Sequence, residues 1–103
     1  MTVHPYFEVE EAEQEGQVWL SLCGELDRAS TPILEDRLTS LRAKKRSVRL
    51  DLSRLAFIDS TGLHLLIRAV GDARMDGWEL KIEPDISRTV SQLFQLVHFN
   101  PFA

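Results

Sequence analysis

Phe57-Ile58-Asp59-Ser60-Thr61-Gly62-Leu63 passes from a short apolar run through an acid, two hydroxyls and a glycine into an amphipathic pattern. Downstream of it Leu63, Leu66, Ile67, Val70 and Ala73 fall at i, i+3, i+4, i+7 and i+10, which predicts a helix lying on a sheet by that stripe and ending near Gly77. Upstream, Val48, Leu50 and Leu52 alternate with Arg49 and Asp51 as a strand, and the brief run Leu55 to Ile58 follows Ser53-Arg54. The segment is therefore a strand-to-helix junction, and its neighbours decide what kind of sheet it belongs to.

Working towards the amino terminus, Ser30-Thr31-Pro32 offers a capping hydroxyl and a proline at the first helical position, with Leu34, Leu38 and Leu41 at helical spacing behind them. Val18, Leu20 and Leu22 share one face of a strand that leads out through Gly24-Glu25-Leu26-Asp27, and Tyr6 to Glu10 reads as another strand. An acidic linker ending in Glu15-Gly16-Gln17 separates those two, which predicts an antiparallel hairpin with a charged loop at an edge. Towards the carboxyl terminus Trp78, Leu80 and Ile82 alternate as a further strand. Pro84-Asp85 then opens a last helix whose buried line is Ile86, Val90, Leu93 and Val97. Strands alternating with helices predict an α/β fold, a mixed β-sheet with an N-terminal antiparallel hairpin and later parallel strands packed by helices.

The 103 residues are expected to form a single domain, residues 1–103, long enough to bury one core without staples. With 44% hydrophobic and 27% charged residues the composition is that of an ordinary globular protein. The greasiest stretch, Leu63 to Val70, is broken by His64 and Arg68 and is too short to cross a bilayer, so no membrane insertion is expected. The amino terminus shows no basic and apolar leader, and Cys23 is alone, which together point to a reducing cytoplasm. One cysteine and the scattered His4, His64 and His98 make no zinc-type ligand set, so neither metal nor cofactor is expected.

The net charge of −4 is segregated: seven acids and no Lys or Arg precede Arg28. The basic cluster Arg42, Lys44, Lys45, Arg46 and Arg49 lies where a helix ends and a strand begins. Cations are favoured at a helix C-terminus by its dipole, and no aromatics interleave this cluster. It reads as a solvated helix end, with no direct nucleic-acid contact.

Asp59, Ser60 and Thr61 are each good helix caps, so capping alone explains any one of them. One capping oxygen satisfies a helix start, however, and three consecutive polar side chains exceed the need, while Gly62 allows another backbone to come close. The junction is then a surface notch at a helix N-terminus rimmed by hydroxyls, where a protein or a phosphate can dock. Ser60, His64 and Asp59 superficially supply a hydrolytic triad. The acid precedes the nucleophile instead of backing the histidine, no Gly-x-Ser-x-Gly elbow is present, and the short chain leaves little for a substrate pocket. The reading is not an enzyme.

Gly24-Glu25-Leu26-Asp27, Leu50-Asp51-Leu52 through Phe57-Ile58-Asp59-Ser60-Thr61-Gly62-Leu63, and Val90-Ser91-Gln92-Leu93-Phe94-Gln95-Leu96 together resemble a STAS domain. The chain is most similar, from about Phe7 to Phe102, to the stand-alone bacterial anti-sigma factor antagonists. The resemblance implies a partner switch. Unphosphorylated, such a protein captures an anti-sigma factor with serine kinase activity and so releases a sigma factor; the kinase modifies the serine after the aspartate, and a serine phosphatase resets it. That serine is Ser60, and Thr61 holds the second hydroxyl position. Asp27 is the aspartate expected beside Ser60, so the implied partner-binding set is Asp27, Asp59, Ser60, Thr61, Gly62 and His64. His64 stands where the pattern often has a small residue. The alternative is a STAS scaffold subunit of a membrane transporter or a stress-sensing complex, docking without phosphorylation.

Overall fold

The computed structural model describes residues 6–102. Its elements are β1 (Phe7–Gln14), β2 (Gln17–Leu26), α1 (Thr31–Ala43), β3 (Val48–Ile58), α2 (Ser60–Asp76), β4 (Leu80–Ile82) and α3 (Arg88–Leu96). The four strands lie in sequence order, with β1 antiparallel to β2 and both β2–β3 and β3–β4 parallel. The mixed sheet predicted from the alternation of elements is therefore present, with α1 and α2 as the crossovers that parallel pairing requires.

One face of the sheet is apolar. Val18, Leu20, Leu22 and Leu26 of β2 and Val48, Leu50, Leu52, Leu55 and Ile58 of β3 are all buried. They join Leu34, Leu38 and Leu41 of α1, Leu63, Leu65, Leu66, Val70 and Ala73 of α2, and Val90 and Phe94 of α3 in one cluster. The opposite face carries polar cross-strand ties: Arg54 to Glu10 at 2.6 Å, Ser21 to Asp51 at 3.4 Å, and Arg49 to Glu83 at 3.1 Å, with the Arg49 guanidinium 5.8 Å from the Trp19 ring centre. Cys23 lies on this face, and burial pushes its thiol pKa up, away from the reactive thiolate.

Several boundaries differ from the expectation. β1 runs on to Gln14, so the stretch read as an acidic linker is strand, and only Glu15 and Gly16 turn, both at positive φ. Glu11 and Glu13 are held there by Arg37 of α1 and Arg46 after it, long-range pairs that neutralise a strand edge otherwise rich in acid. The runs 48–52 and 55–58 are one strand, β3, whose pairing with β2 shifts register twice. Pro84 to Ile86 do not open a helix. The segment continues along β3, with Glu83 N–H donating to Leu50 O and Ser87 N–H to Leu52 O, and α3 starts at Arg88.

The buried line of α3 is Val90 and Phe94, with Ile86 and Leu93 partly buried and Val97 exposed beyond the helix end. α3 closes in a Schellman turn: Phe99 N–H donates to Phe94 O at 2.9 Å and His98 N–H to Gln95 O at 3.2 Å. The Phe94 and Phe99 rings meet edge to face, 5.0 Å apart, as the apolar contact of that turn. His98 occupies its left-handed position at φ 58°, where glycine is the usual residue.

The stripe of α2 is rotated from the expected one. Leu65, not Ile67, completes it: Leu65 is 5% exposed and Ile67 37%. Truncating the fully buried Leu66 to Ala should lower unfolding free energy by about 2 to 5 kcal/mol, whereas Ile67→Ala should change it by less than about 1 kcal/mol. Urea melts of the two variants check this, and equal losses would show that Ile67 packs inward.

Among the described residues no helix is long and apolar enough to cross a membrane, and no group of three or more His, Cys, Asp or Glu is placed to hold a metal ion. His4, one of the three histidines considered for a metal, lies outside the described residues.

Candidate functional site

The strands β2 and β3 end side by side, Leu26 paired with Ile58, and their chains then diverge into α1 and α2. Asp59 directs the second exit. Its N–H donates to Leu26 O at 3.1 Å, its Oδ1 accepts from Gly62 N–H at 2.9 Å, and its carbonyl accepts from Leu63 N–H at 2.9 Å. It is the cap of α2, in extended backbone at φ −99°, and it supplies the side-chain oxygen that any of three residues offered in the sequence. Its Oδ2 accepts from Arg28 N–H at 3.0 Å, which ties the start of α2 to the loop between β2 and α1.

That loop is built on Asp27. Its Oδ1 accepts from the backbone N–H groups of Ala29 at 3.1 Å and Ser30 at 3.0 Å. Ser30 Oγ accepts from Asp27 N–H at 2.9 Å and donates to Glu25 O at 2.8 Å, and Thr31 Oγ1 donates to Asp27 O at 2.6 Å. Ser30 stands at the cap position of α1 yet makes no side-chain cap bond, and Pro32 follows Thr31 as the second residue inside the helix. The Asp27 carboxylate accepts from N–H groups of the turn that precedes α1, and the Ser30 hydroxyl, which makes no cap bond, holds that turn to β2. Ser30 and Thr31 are the buried polar side chains of the protein's described part, and sequence reasoning missed them as builders of the site. The signal was their spacing from Asp27, three and four residues on, within reach of an Asx-type turn.

Gly62 is buried. A Cβ there would stand 2.6 Å from Leu26 O, 2.9 Å from Leu26 Cγ and 3.0 Å from Ile58 Cγ1. The close approach expected at Gly62 is thus made to the end of β2. This contact seats the first turn of α2 on the paired strand ends and fixes the rotation of the helix.

Two groups of side chains result. Asp27 and Asp59 are half-buried and engaged with backbone N–H groups, and Gly62 lies underneath. Ser60, Thr61 and His64 are exposed on the first turns of α2. Ser60 and Thr61 occupy its first two positions, where backbone N–H groups have no partner within the helix. Asp59 accepts from Gly62 and Arg28 N–H and makes no hydrogen bond to His64, so it does not orient that imidazole towards Ser60. The arrangement presents hydroxyls on the first turn of α2, with the Asp59 carboxylate adjacent in the chain, the Asp27 loop tied to it through Arg28 N–H, and the positive end of a helix dipole beneath.

The three arginines of the basic cluster are drawn into ion pairs, and Lys44 and Lys45 are exposed. Arg42 reaches Asp72 and Asp76 of α2, Arg46 reaches Glu13, and Arg49 reaches Glu83.

Comparison with known proteins bears on this geometry. A family model described as "Mlab, STAS domain" matches residues 9–101. The chain is 27% identical over 88 residues to the anti-sigma-B factor antagonist of Bacillus subtilis (strain 168), spanning 85% of this chain and 80% of that protein. An anti-sigma factor antagonist from Mycobacterium paratuberculosis superposes with a TM-score of 0.75 at 19% identity, over 95% of this chain and 83% of that one. The Bacillus cell fate determinant SpoIIAA in its phosphorylated form superposes with a TM-score of 0.69 at 20% identity, over 93% and 86% of the two chains. At these identities the two solved structures establish a shared fold.

Proposed function

We propose, because the chain belongs to the STAS domain family, that it is a phosphorylation-switched partner-binding module of the anti-sigma factor antagonist kind. With Ser60 unmodified it captures an anti-sigma factor that is also a serine kinase, and a sigma factor is released. Phosphorylation of Ser60 by that kinase ends the capture, and a serine phosphatase restores it in the cytoplasm. The observation that carries this reading is the division of labour at the junction. Asp59 alone caps α2, which leaves the neighbouring Ser60 exposed and without a structural task. The 27% identity to a protein named as an anti-sigma-B factor antagonist supports the choice of partner class.

In this reading Ser60, Thr61 and His64 form the contact surface, and Asp27, Asp59 and Gly62 fix its shape. A phosphate on Ser60 sits at the positive end of the α2 dipole, so it leaves the helix intact. It also places nearly two negative charges beside Asp27 and Asp59, on a surface that the partner must desolvate.

Ser60→Ala should take up no phosphate from the anti-sigma kinase, read by intact mass, and should keep the partner bound. Its stability should stay within about 0.5 kcal/mol of wild type, because the cap hydrogen bond belongs to Asp59. Phosphorylation of this variant to the wild-type level would move the regulated position to Thr61. Absence of phosphorylation in the wild-type chain, with the partner still bound, would favour the scaffold reading.

A further inference from the structure

The far end of the chain holds a cavity that the switch does not use. It lies between α3 and the segment after it and has a volume of about 460 Å³, within the range of roughly 300 to 1,000 Å³ typical of small-molecule sites. Its walls are aromatic and aliphatic: Ile86, Phe94, Phe99 and Phe102. Of its nine lining residues none is Asp, Glu, Lys or Arg, in a protein where 27% of residues are charged. The polar side chains that line it are those of Gln95, Asn100, Ser91 and His98. Asn100 Oδ1 already accepts from Phe102 N–H at 2.9 Å, so what it offers a ligand is its amide NH₂.

His98 adds a second observation. It stands at the left-handed position of the Schellman turn, φ 58°, where glycine would relieve the backbone, and its side chain lines the cavity. The strained position carries an imidazole where helix termination alone needs none.

We infer that this cavity is a binding site for a small, uncharged, planar aromatic or heteroaromatic molecule with a hydrogen-bonding edge. The ring enters among Phe94, Phe99 and Phe102, where edge-to-face and offset contacts are available, and its polar edge meets Gln95, His98 and the Asn100 NH₂. Phosphorylated and carboxylated ligands are disfavoured, because no Lys or Arg in the wall offsets their desolvation. The inference stands independently of the Ser60 switch.

Indole is the probe and indole-3-acetate its charged comparator, titrated into the ¹⁵N-labelled full chain. Indole should give saturable amide shifts confined to Ser91–Phe102 in the millimolar range, and indole-3-acetate should bind at least about tenfold more weakly. Ser91→Phe, which fills the cavity from a partly exposed helix position, should abolish the shifts without altering the amide pattern of Ser60–His64. Gln95→Phe, at an exposed position of the same lining, is the second variant if the first does not fold. No shifts up to the solubility of indole, unchanged binding by the filled variant, or equal affinity for the anion would each overturn the inference. Concentration-dependent shifts in the same segment without ligand, with dimer formed in sedimentation, would replace it by contact between two copies through Leu96, Val97 and Phe102.

Discussion

Gly24→Ala should be the most damaging single-methyl change among the described glycines, lowering unfolding free energy by on the order of 2 to 5 kcal/mol. Two costs add. Gly24 has φ +93°, a region where an L side chain is disfavoured by about 1 to 2 kcal/mol. A Cβ there would also stand 2.0 Å from Tyr6 O and 2.8 Å from Tyr6 C, a collision with backbone that no rotamer relieves. Escape requires β1 to move off β2 at this end. That breaks the bond from Glu25 N–H to Tyr6 O, 2.7 Å long, and lifts the buried Phe7. Either route adds a penalty comparable to overpacking a core, about 1 to 3 kcal/mol. Total stabilities are about 5 to 15 kcal/mol, so the loss is a large fraction of the lower end of that range.

Gly16→Ala separates the two contributions, since Gly16 has φ +78° but a Cβ added to it would meet nothing within 4 Å. It should lose only the conformational part, about 1 to 2 kcal/mol. Urea melts of the pair provide the measurement, and equal losses would show that the collision at Tyr6 is absorbed by the edge strand. Because Glu25 O also accepts from Ser30 Oγ, displacement of β2 at Gly24 should further loosen the Asp27 loop beside Ser60.

The junction was legible in the sequence because its chemistry is local. Asp59 and Gly62 are three residues apart, the spacing of a cap bond, and no distant residue is needed to foresee it. The antiparallel hairpin and the parallel direction of the later strands followed from similarly short-range signals. What escaped the sequence depends on contacts far along the chain. β1 looked finished at Glu10 because Glu11 and Glu13 resemble a solvated linker; Arg37 and Arg46 hold them in the strand from 26 and 33 residues away.

The phase of α2 is a second case. Leu63, Leu66, Ile67 and Val70 satisfy helical spacing, and so do Leu63, Leu65, Leu66 and Val70 with Ala73. The packing of Gly62 on Leu26 and Ile58 decides between them. That rotation turns Ile67 outward, one turn beyond the exposed His64. Ser30 likewise looked like a cap by residue type, whereas the folded loop turns its hydroxyl to Glu25 O and leaves Ser30 fully buried. In each instance residue identity allowed two local solutions and a tertiary contact chose one.

Ser60→Asp should leave the fold almost unchanged and weaken partner binding by at least about tenfold, which corresponds to about 1.4 kcal/mol. The first half follows from position. Ser60 is the first residue of α2, exposed, with Asp59 already supplying the cap hydrogen bond. A carboxylate in the first turn gains about 0.3 to 1 kcal/mol from the helix dipole, and repulsion from Asp59 and Asp27 offsets part of that gain. A change within about 1 kcal/mol is the result. The second half follows from the same crowding. Asp59 and Asp27 cannot turn away from the new charge, because their oxygens are fixed on Gly62, Arg28, Ala29 and Ser30. A partner closing over Ser60 must then desolvate a new carboxylate next to Asp59 where it formerly met a hydroxyl, and an unpaired buried charge costs more than the factor of ten requires. Calorimetric titration with the anti-sigma kinase measures the binding, and a denaturant melt measures the stability. Unchanged affinity with an unchanged melt would place Ser60 outside the interface. Lost affinity with a collapsed melt would mean that charge at this position acts by unfolding the junction, and the arrangement built by Asp27, Asp59 and Gly62 would not be the element that the switch relies on.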